Sequence, residues 1–314
     1  MKRWQRDEVG GVWVFALMSV LFRVLPHFLL ILIAYPVSLF YFLMGRKARE
    51  GLKSYHERIA ALSGRRLSPY LHFLSFSITL VEKAESWLGK IDYSHLHFSN
   101  DDIDLFNESL ARGQGVIALV SHVGSSELLR ALSAQLARER VGHPIPMTCI
   151  VEFEVTDRFN SMLGRLNRDS KLNLMSTRNM DMGSIEQLER TIRDGGIVII
   201  AADRASERCV ELDFLGRKAE FPYGAFYLSS LIAAPSFFVT LVRRRDFGIR
   251  RCYDVFVKRN STRVEGDGRS ARRLYAESTA ANFVENLEEN CLRHPYQWYN
   301  FFEFWRDEDE KRRG

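Results

Sequence analysis

Cysteine is scarce. The 314 residues hold four, Cys149, Cys209, Cys252 and Cys291, far apart and without a CxxC pair. That argues against a disulfide framework or a zinc site and fits a reducing compartment. Other signatures are missing too. No HExxH stands in the chain, which weakens a metal-hydrolase reading. No GxSxG elbow is present, which weakens a serine nucleophile. There is no finger spacing, no basic-region helix and no aromatic RNA-binding signature, so nucleic acid is not an expected partner. No window is of low complexity, and no repeat of fixed period runs through the chain.

What remains is a chain with 46% hydrophobic and 26% charged residues, enough for a packed core. Its length suits one large α/β domain with a membrane-associated extension, or two small domains. Lys+Arg 44 against Asp+Glu 39 leaves a net charge of +5. This mild excess suits an anionic membrane surface, an acidic carrier protein or a phosphorylated substrate, and equally a plain solubilising surface.

The first fifty residues read as a membrane anchor, with a fully buried core helix as the plainer alternative. Val9–Phe22 carries no charge, Arg23 interrupts, and Val24–Gly45 again carries none apart from His27. As helix the second run would measure roughly 33 Å, against a hydrocarbon layer of about 30 Å. Lys2, Arg3 and Arg6 flank one side; Arg46, Lys47, Arg49 and Lys53 flank the other. With both ends basic, a single span and a hairpin bent at Pro26 or Pro36 both stay open.

Residues 51–110 read as a helical connecting region. Leu52, Tyr55, Ile59 and Leu62 share one helical face, and a more apolar helix follows in PYLHFLSFSITLVEKAESWL. Residues 111–314 read as an α/β domain. GVIALVS, PIPMTCIVE, KLNLMS, IVIIAAD, PSFFVTLVR and CYDVFVKR read as strands. SSELLRALSAQLARER with a serine cap, DRFNSMLGRLN, MGSIEQLERTIRDGG, PYGAFYLSSLIAA and about Ser270–Arg293 read as helices. Near-continuous apolar strands alternating with helices predict a mostly parallel sheet flanked by helices.

Reactive groups in such sheets sit at the carboxyl ends of strands. His122 ends an apolar strand, and Glu127 falls in the first turn of the next predicted helix. A carboxylate there can reach the imidazole and hold one tautomer, as a general base requires. The spacing alone is weak: about one such pair is expected by chance, and His97 and Asp102 share it in a more polar setting. The plainer reading is a strand-end histidine that satisfies its own hydrogen bonds. Asp203 and Arg204 end another strand, and Glu152 and Glu154 a third. Ser125 and Ser126 read as caps. Arg165, Arg168, Arg178, Arg204, Arg217 and Lys218 are candidate phosphate ligands, with Arg204 the best placed. Asp203 could position a helix end or a hydroxyl. Phe221, Pro222, Gly224, Phe226 and Tyr227 either line an acyl groove or form core. Arg243, Arg244 and Arg245 read as a solvated strand end that could meet headgroups or an acidic carrier.

HVGSSE at a strand end resembles the HX4(D/E) block of glycerolipid acyltransferases. The chain is similar, more specifically, to the lipid A secondary (late) acyltransferases, and most to a predicted acyltransferase branch of that superfamily. The order of features carries the resemblance. An apolar amino-terminal segment comes first, then HX4E, then Asn-x-x-Leu from Asn160 to Leu163, then a strand ending in an acid at IVIIAADR. FLGRKAEFPYGAFYLSSLIAAP and HPYQWYNFFEFW follow. Ala202 stands where the family usually has proline and Arg204 where it has glutamine or histidine, which puts the acceptor in doubt more than the reaction.

The resemblance implies a membrane-associated acyltransferase. It would move a fatty acyl chain from an acyl-carrier-protein or acyl-CoA thioester to a hydroxyl of a lipid or glycolipid. His122 would be the base and Glu127 its orienting partner, with Asn160, Arg165, Asp203 and Arg204 binding substrate. Backbone amides of the turn from Gly124 to Glu127 would face the oxyanion. It implies no cofactor, and a catalytic domain on the cytoplasmic face of a bacterial inner membrane. An acceptor unrelated to lipid A, a (thio)esterase using the same dyad, and a silent membrane scaffold are the competing readings.

Overall fold

The computed structural model describes residues 20–99, 102–129, 133, 142, 145–151, 172–176, 180–204, 206, 208–263, 266 and 268–305, without the side chains of residues 127, 151, 172 and 176. After a helical stretch at residues 20–24, the described residues continue with α1 (His27–Met44), α2 (Arg46–Ser63) and α3 (Pro69–Trp87). Helix α3 starts where Ser68 accepts a hydrogen bond from the Leu71 N–H and Pro69 takes the first helical position, a favoured amino-terminal arrangement. There follow β1 (Leu96–Phe98), α4 (Asp102–Ala111), β2 (Val116–Gly124), β3 (Met147–Val151), β4 (Leu172–Ser176), α5 (Met182–Arg193) and β5 (Ile197–Ala201). The chain goes on through β6 (Cys209–Phe214), β7 (Arg217–Pro222), α6 (Tyr223–Leu231), β8 (Ser236–Arg243), β9 (Tyr253–Arg259) and α7 (Arg269–Arg293).

Seven strands form one sheet in the order β1-β9-β8-β2-β5-β3-β4. From β8 to β4 every pairing is parallel; β9 runs antiparallel to β8. Period-two alternation divides the core between the two faces. Ile117, Leu119, Val198, Ile200 and Phe238 point to the side covered by α6 and α7, where Tyr55 and Ile59 of α2 also pack. Val116, Ala118, Val120, Ile197, Ile199 and Phe237 point to the side covered by Ile103, Phe106 and Leu110 of α4. Both faces are covered, which is why these strands read as unbroken apolar runs.

Two expectations need correction. Leu62 does not share the buried face of α2. Leu52, Tyr55 and Ile59 are buried, but Leu62 is 50% exposed, because α2 ends at the next residue, Ser63, and the chain turns away at the left-handed Gly64. The antiparallel hairpin of β6 and β7 was not foreseen. Its turn, Leu215-Gly216, has positive φ at both positions, the geometry of a tight hairpin turn but with leucine where asparagine or glycine is usual. Tertiary bonds hold it: the Leu215 N–H donates to Glu288, and its carbonyl accepts from Arg58. Most of the helices expected over SSELLRALSAQLARER and DRFNSMLGRLN lies outside the described residues.

Candidate active site

The end of β2 leaves the sheet ladder. Its pairing with β8 shifts between Val120 and Gly124, and the His122 backbone finds other partners. Its N–H donates to Asp203 Oδ2 at 2.8 Å, and its carbonyl accepts from the Tyr299 N–H at 2.9 Å. Gly124 makes the turn possible. Its φ is +70°, and a Cβ there would collide with the Leu241 carbonyl, so only glycine fits. The Gly124 and Ser125 amides donate to the carbonyls of Gln297 and Leu241. They are therefore not available to an oxyanion, contrary to expectation for that part of the turn.

Asp203 lies two residues beyond β5, beside the end of β2, where the Ala202 N–H donates to the Val120 carbonyl. His122 Nδ1 is 2.6 Å from Asp203 Oδ1. Trp298 Nε1 donates to Asp203 Oδ2 at 3.0 Å. The carboxylate is buried (2% exposed), yet three N–H groups converge on it. Burial alone would push its carboxyl up. The charge of His122 and the hydrogen bonds from His122 and Trp298 outweigh that and hold it below the usual carboxylate value. An ionised Asp203 only accepts, so the imidazole proton sits on Nδ1 and Nε2 presents a lone pair. The His122 side chain is 31% exposed, and Nε2 has no partner among the described residues. A fixed tautomer with an accessible lone pair can take a proton from a hydroxyl or from water.

The segment after α7 closes the site from below. Val123 and Trp298 form an antiparallel bridge, which sets the Trp298 indole under Asp203. Gln297 is buried; its amide donates to the Arg243 carbonyl and to Asp246, and its oxygen accepts from the Arg243 N–H. Tyr299 bonds Thr79 of α3 at 2.7 Å. Sequence reading placed HPYQWYNFFEFW in a family block but gave Trp298 no role. No local pattern marks an indole as the partner of a carboxylate 95 residues away.

Arg243 is a further correction. It is not a solvated strand end: it is 3% exposed and pairs with Glu82 at 2.8 Å. Its remaining N–H groups reach Ser75, Thr79, Tyr299 and the Asp246 carbonyl. Arg244 behaves as expected and pairs with Asp254 while half exposed.

The other expected residues distribute as follows. The Glu127 backbone lies in the short 3-10 turn Ser126–Leu128, and its side chain is outside the described residues. Asn160, Arg165, Arg168, Arg178, Glu152 and Glu154 also lie outside them. Asp203, expected to bind substrate, is instead buried beneath His122. Arg204 follows it, partly exposed. His97 and Asp102 are not brought together: the Asp102 carboxylate accepts from the Arg259 N–H and His97 is exposed. Ser125 does not act as a cap, since its buried hydroxyl has no partner among the described residues. Phe221 and Phe226 are core, fully buried with Phe214 and Phe283. Lys218 pairs with Asp213 on the exposed hairpin. The four cysteines are free thiols. Among the described residues, no group of three His, Cys, Asp or Glu side chains is placed to hold a metal.

The sequence model of the bacterial lipid A biosynthesis acyltransferase family matches residues 71–307. The matched region includes α3 from Leu71 on, the seven-stranded sheet, His122, Asp203 and Trp298. No curated protein matches the chain significantly. The chain belongs to the bacterial lipid A biosynthesis acyltransferase family, and it is an acyltransferase.

Proposed function

We propose that this family member uses His122, held on Nδ1 by Asp203, as the general base for O-acyl transfer. The donor is an acyl-carrier-protein or acyl-CoA thioester, and the acceptor is a hydroxyl of a lipid or glycolipid. The observation that carries the reading is the 2.6 Å bond between His122 Nδ1 and a buried carboxylate, with the opposite ring nitrogen left for substrate.

His122 Nε2 removes the hydroxyl proton as the oxygen attacks the thioester carbonyl. The tetrahedral intermediate collapses, the C–S bond breaks, and the imidazolium returns its proton to the departing thiolate. The products are an ester and a free thiol. The thioester is already activated, so no acyl-enzyme and no cofactor are required. Asp203 keeps the tautomer and stabilises the imidazolium. With Nδ1 held by Asp203, Glu127, the carboxylate of the HX4E block, acts as a second acid beside Asp203 and steadies the imidazolium from the turn at the end of β2. Arg204, with Asn160 and Arg165, binds phosphates or polar groups of donor or acceptor. Ala202 and Arg204 depart from the family pattern, so a phospholipid or another amphiphile stands beside lipid A as acceptor. A cytosolic thioester donor places the site on the cytoplasmic face of the inner membrane.

The test is the fate of labelled acyl-carrier protein mixed with a host lipid extract and either wild type or His122→Ala. A labelled lipid formed by wild type alone supports the reading, and its mass identifies the acceptor. Equal transfer by both proteins overturns the role of His122. Free fatty acid as the only wild-type product would mean that the same dyad activates water.

A further inference from the structure

Helix α1 is long and apolar enough to cross a membrane, yet it is not free to do so. It lies antiparallel along the length of α3. At one end His27 Nδ1 meets Glu85 at 2.7 Å. Near the middle the Tyr70 hydroxyl donates to the Tyr35 carbonyl. At the other end the Phe42 ring packs edge-on against Tyr70 and Phe73. Between these points Leu30, Ile31 and Ala34 interlock with Leu74, Ile78 and Ala84.

Helix α3 is in turn fixed to the catalytic domain. Glu82 pairs with Arg243, Glu85 with Arg251, and His72 bonds the Trp298 carbonyl. An α1 that crossed the bilayer would draw α3 and these buried ionic groups into the hydrocarbon, where each charge is costly. Among the described residues, the opposite face of α1 is the one left open to lipid. Phe28, Leu32, Phe40, Leu43 and Met44 lie on it, each more than half exposed. Arg23 stands exposed at one end, and Arg46, Lys47 and Lys53 at the other. Lys90 pins the first end to the domain by donating to the Phe22 and Arg23 carbonyls.

We infer that α1 is an in-plane membrane-docking helix rather than a span. Its apolar face sits in one leaflet, both of its ends stay on the same side, and the basic residues at those ends meet anionic lipid phosphates. Helix α3 is then the single layer between the bilayer and the elements that carry His122, since it bonds both Trp298 and Tyr299. Packed helices stand about 8–10 Å apart, so the site lies close above the leaflet surface. This deepens the membrane part of the proposed function and does not depend on the chemistry at His122.

The test adds the full chain from outside to sealed vesicles of phosphatidylethanolamine and phosphatidylglycerol. Arg23→Cys and Lys47→Cys are treated separately with a membrane-impermeant polyethylene-glycol maleimide, and each gel shift is compared with that of the parent chain. The expected result is one additional shift for both variants, because both ends face the same side. An additional shift for only one of them means a span and overturns the inference. In a second arm, Leu32→Asp with Phe40→Asp lowers binding to the same vesicles at least tenfold while the thermal transition is unchanged, since neither side chain is buried. Unchanged vesicle binding overturns the inference. So does a change of oligomeric state in place of vesicle release, which would give the face to a second copy of the chain. Neither arm measures acyl transfer, so an inactive protein that docks in this way contradicts the proposed chemistry alone.

Discussion

Three donors converge on the Asp203 carboxylate, and each has a separate task. The His122 N–H sets the backbone, His122 Nδ1 sets the tautomer, and Trp298 Nε1 holds the second oxygen. A charge-assisted hydrogen bond contributes about 1.5–3 kcal/mol, of which only part reaches the transition state. Trp298→Phe keeps most of the packing and removes the one donor. It is expected to lower kcat about tenfold with little change in KM, measured by steady-state transfer from acyl-carrier protein. An unchanged kcat would reduce Trp298 to a packing residue.

At the scale of elements, the site is assembled by joining β2, β8, α3 and the segment after α7. Arg243, the last residue of β8, ties α3 and the segment after α7 to that strand from inside, and its partner Glu82 is as buried as it is. Removing one member of a buried pair strands the other charge, at about 3–5 kcal/mol. Arg243→Met is therefore expected to lower Tm sharply, and adding Glu82→Gln to recover part of the loss, read by thermal unfolding of the three proteins. The strands of the parallel sheet were legible because both of its faces are covered and the chain writes them as apolar runs. Helix α7 was legible from its length and periodicity. The β6–β7 hairpin was not, because Leu215-Gly216 carries no turn signature and is held by Glu288 and Arg58 from distant helices. Arg243 looked like the first of three surface arginines; only the fold shows α3 lying across it. His122 was legible as a strand-end residue. The role of Asp203 on its Nδ1 was not, since the two are 81 residues apart and only neighbouring strand ends bring them together.

For the whole molecule, two further histidines bear on pH. His56 Nε2 and His72 Nδ1 are 3.0 Å apart, and His72 Nε2 donates to the Trp298 carbonyl. That carbonyl only accepts, so His72 is protonated on Nε2 and receives the His56 N–H on Nδ1. Burial lowers His56 to about 4; burial, then its neighbour His56, lowers His72 to about 3. Both lie below the 6.5 of an unfolded imidazole. Between about pH 4 and 6.5 the unfolded chain thus binds protons that the folded chain does not. Stability then falls as pH drops through that window, by up to about 1.4 kcal/mol per pH unit for each imidazole. The depressed carboxyl of Asp203 adds stability that is present above the ordinary carboxylate range and is lost only at lower pH. Unfolding followed between pH 7 and 5 is expected to show the loss, and His72→Gln to flatten it while lowering stability at pH 7. An equal slope in the variant would contradict the assignment. The same His72 links α3 to the block beneath the active site, so losing that link is expected to reach activity as well as stability.

The most direct test of the account is single-turnover acyl transfer by Asp203→Asn, with Glu127→Gln and His122→Ala beside it. A neutral amide on Nδ1 no longer selects the tautomer or stabilises the imidazolium. The account predicts a loss of about 10²- to 10⁴-fold for Asp203→Asn, approaching that of His122→Ala, with the fold intact by circular dichroism. Wild-type turnover by Asp203→Asn would contradict it, and would leave the bond between His122 and Asp203 a structural feature of the strand ends.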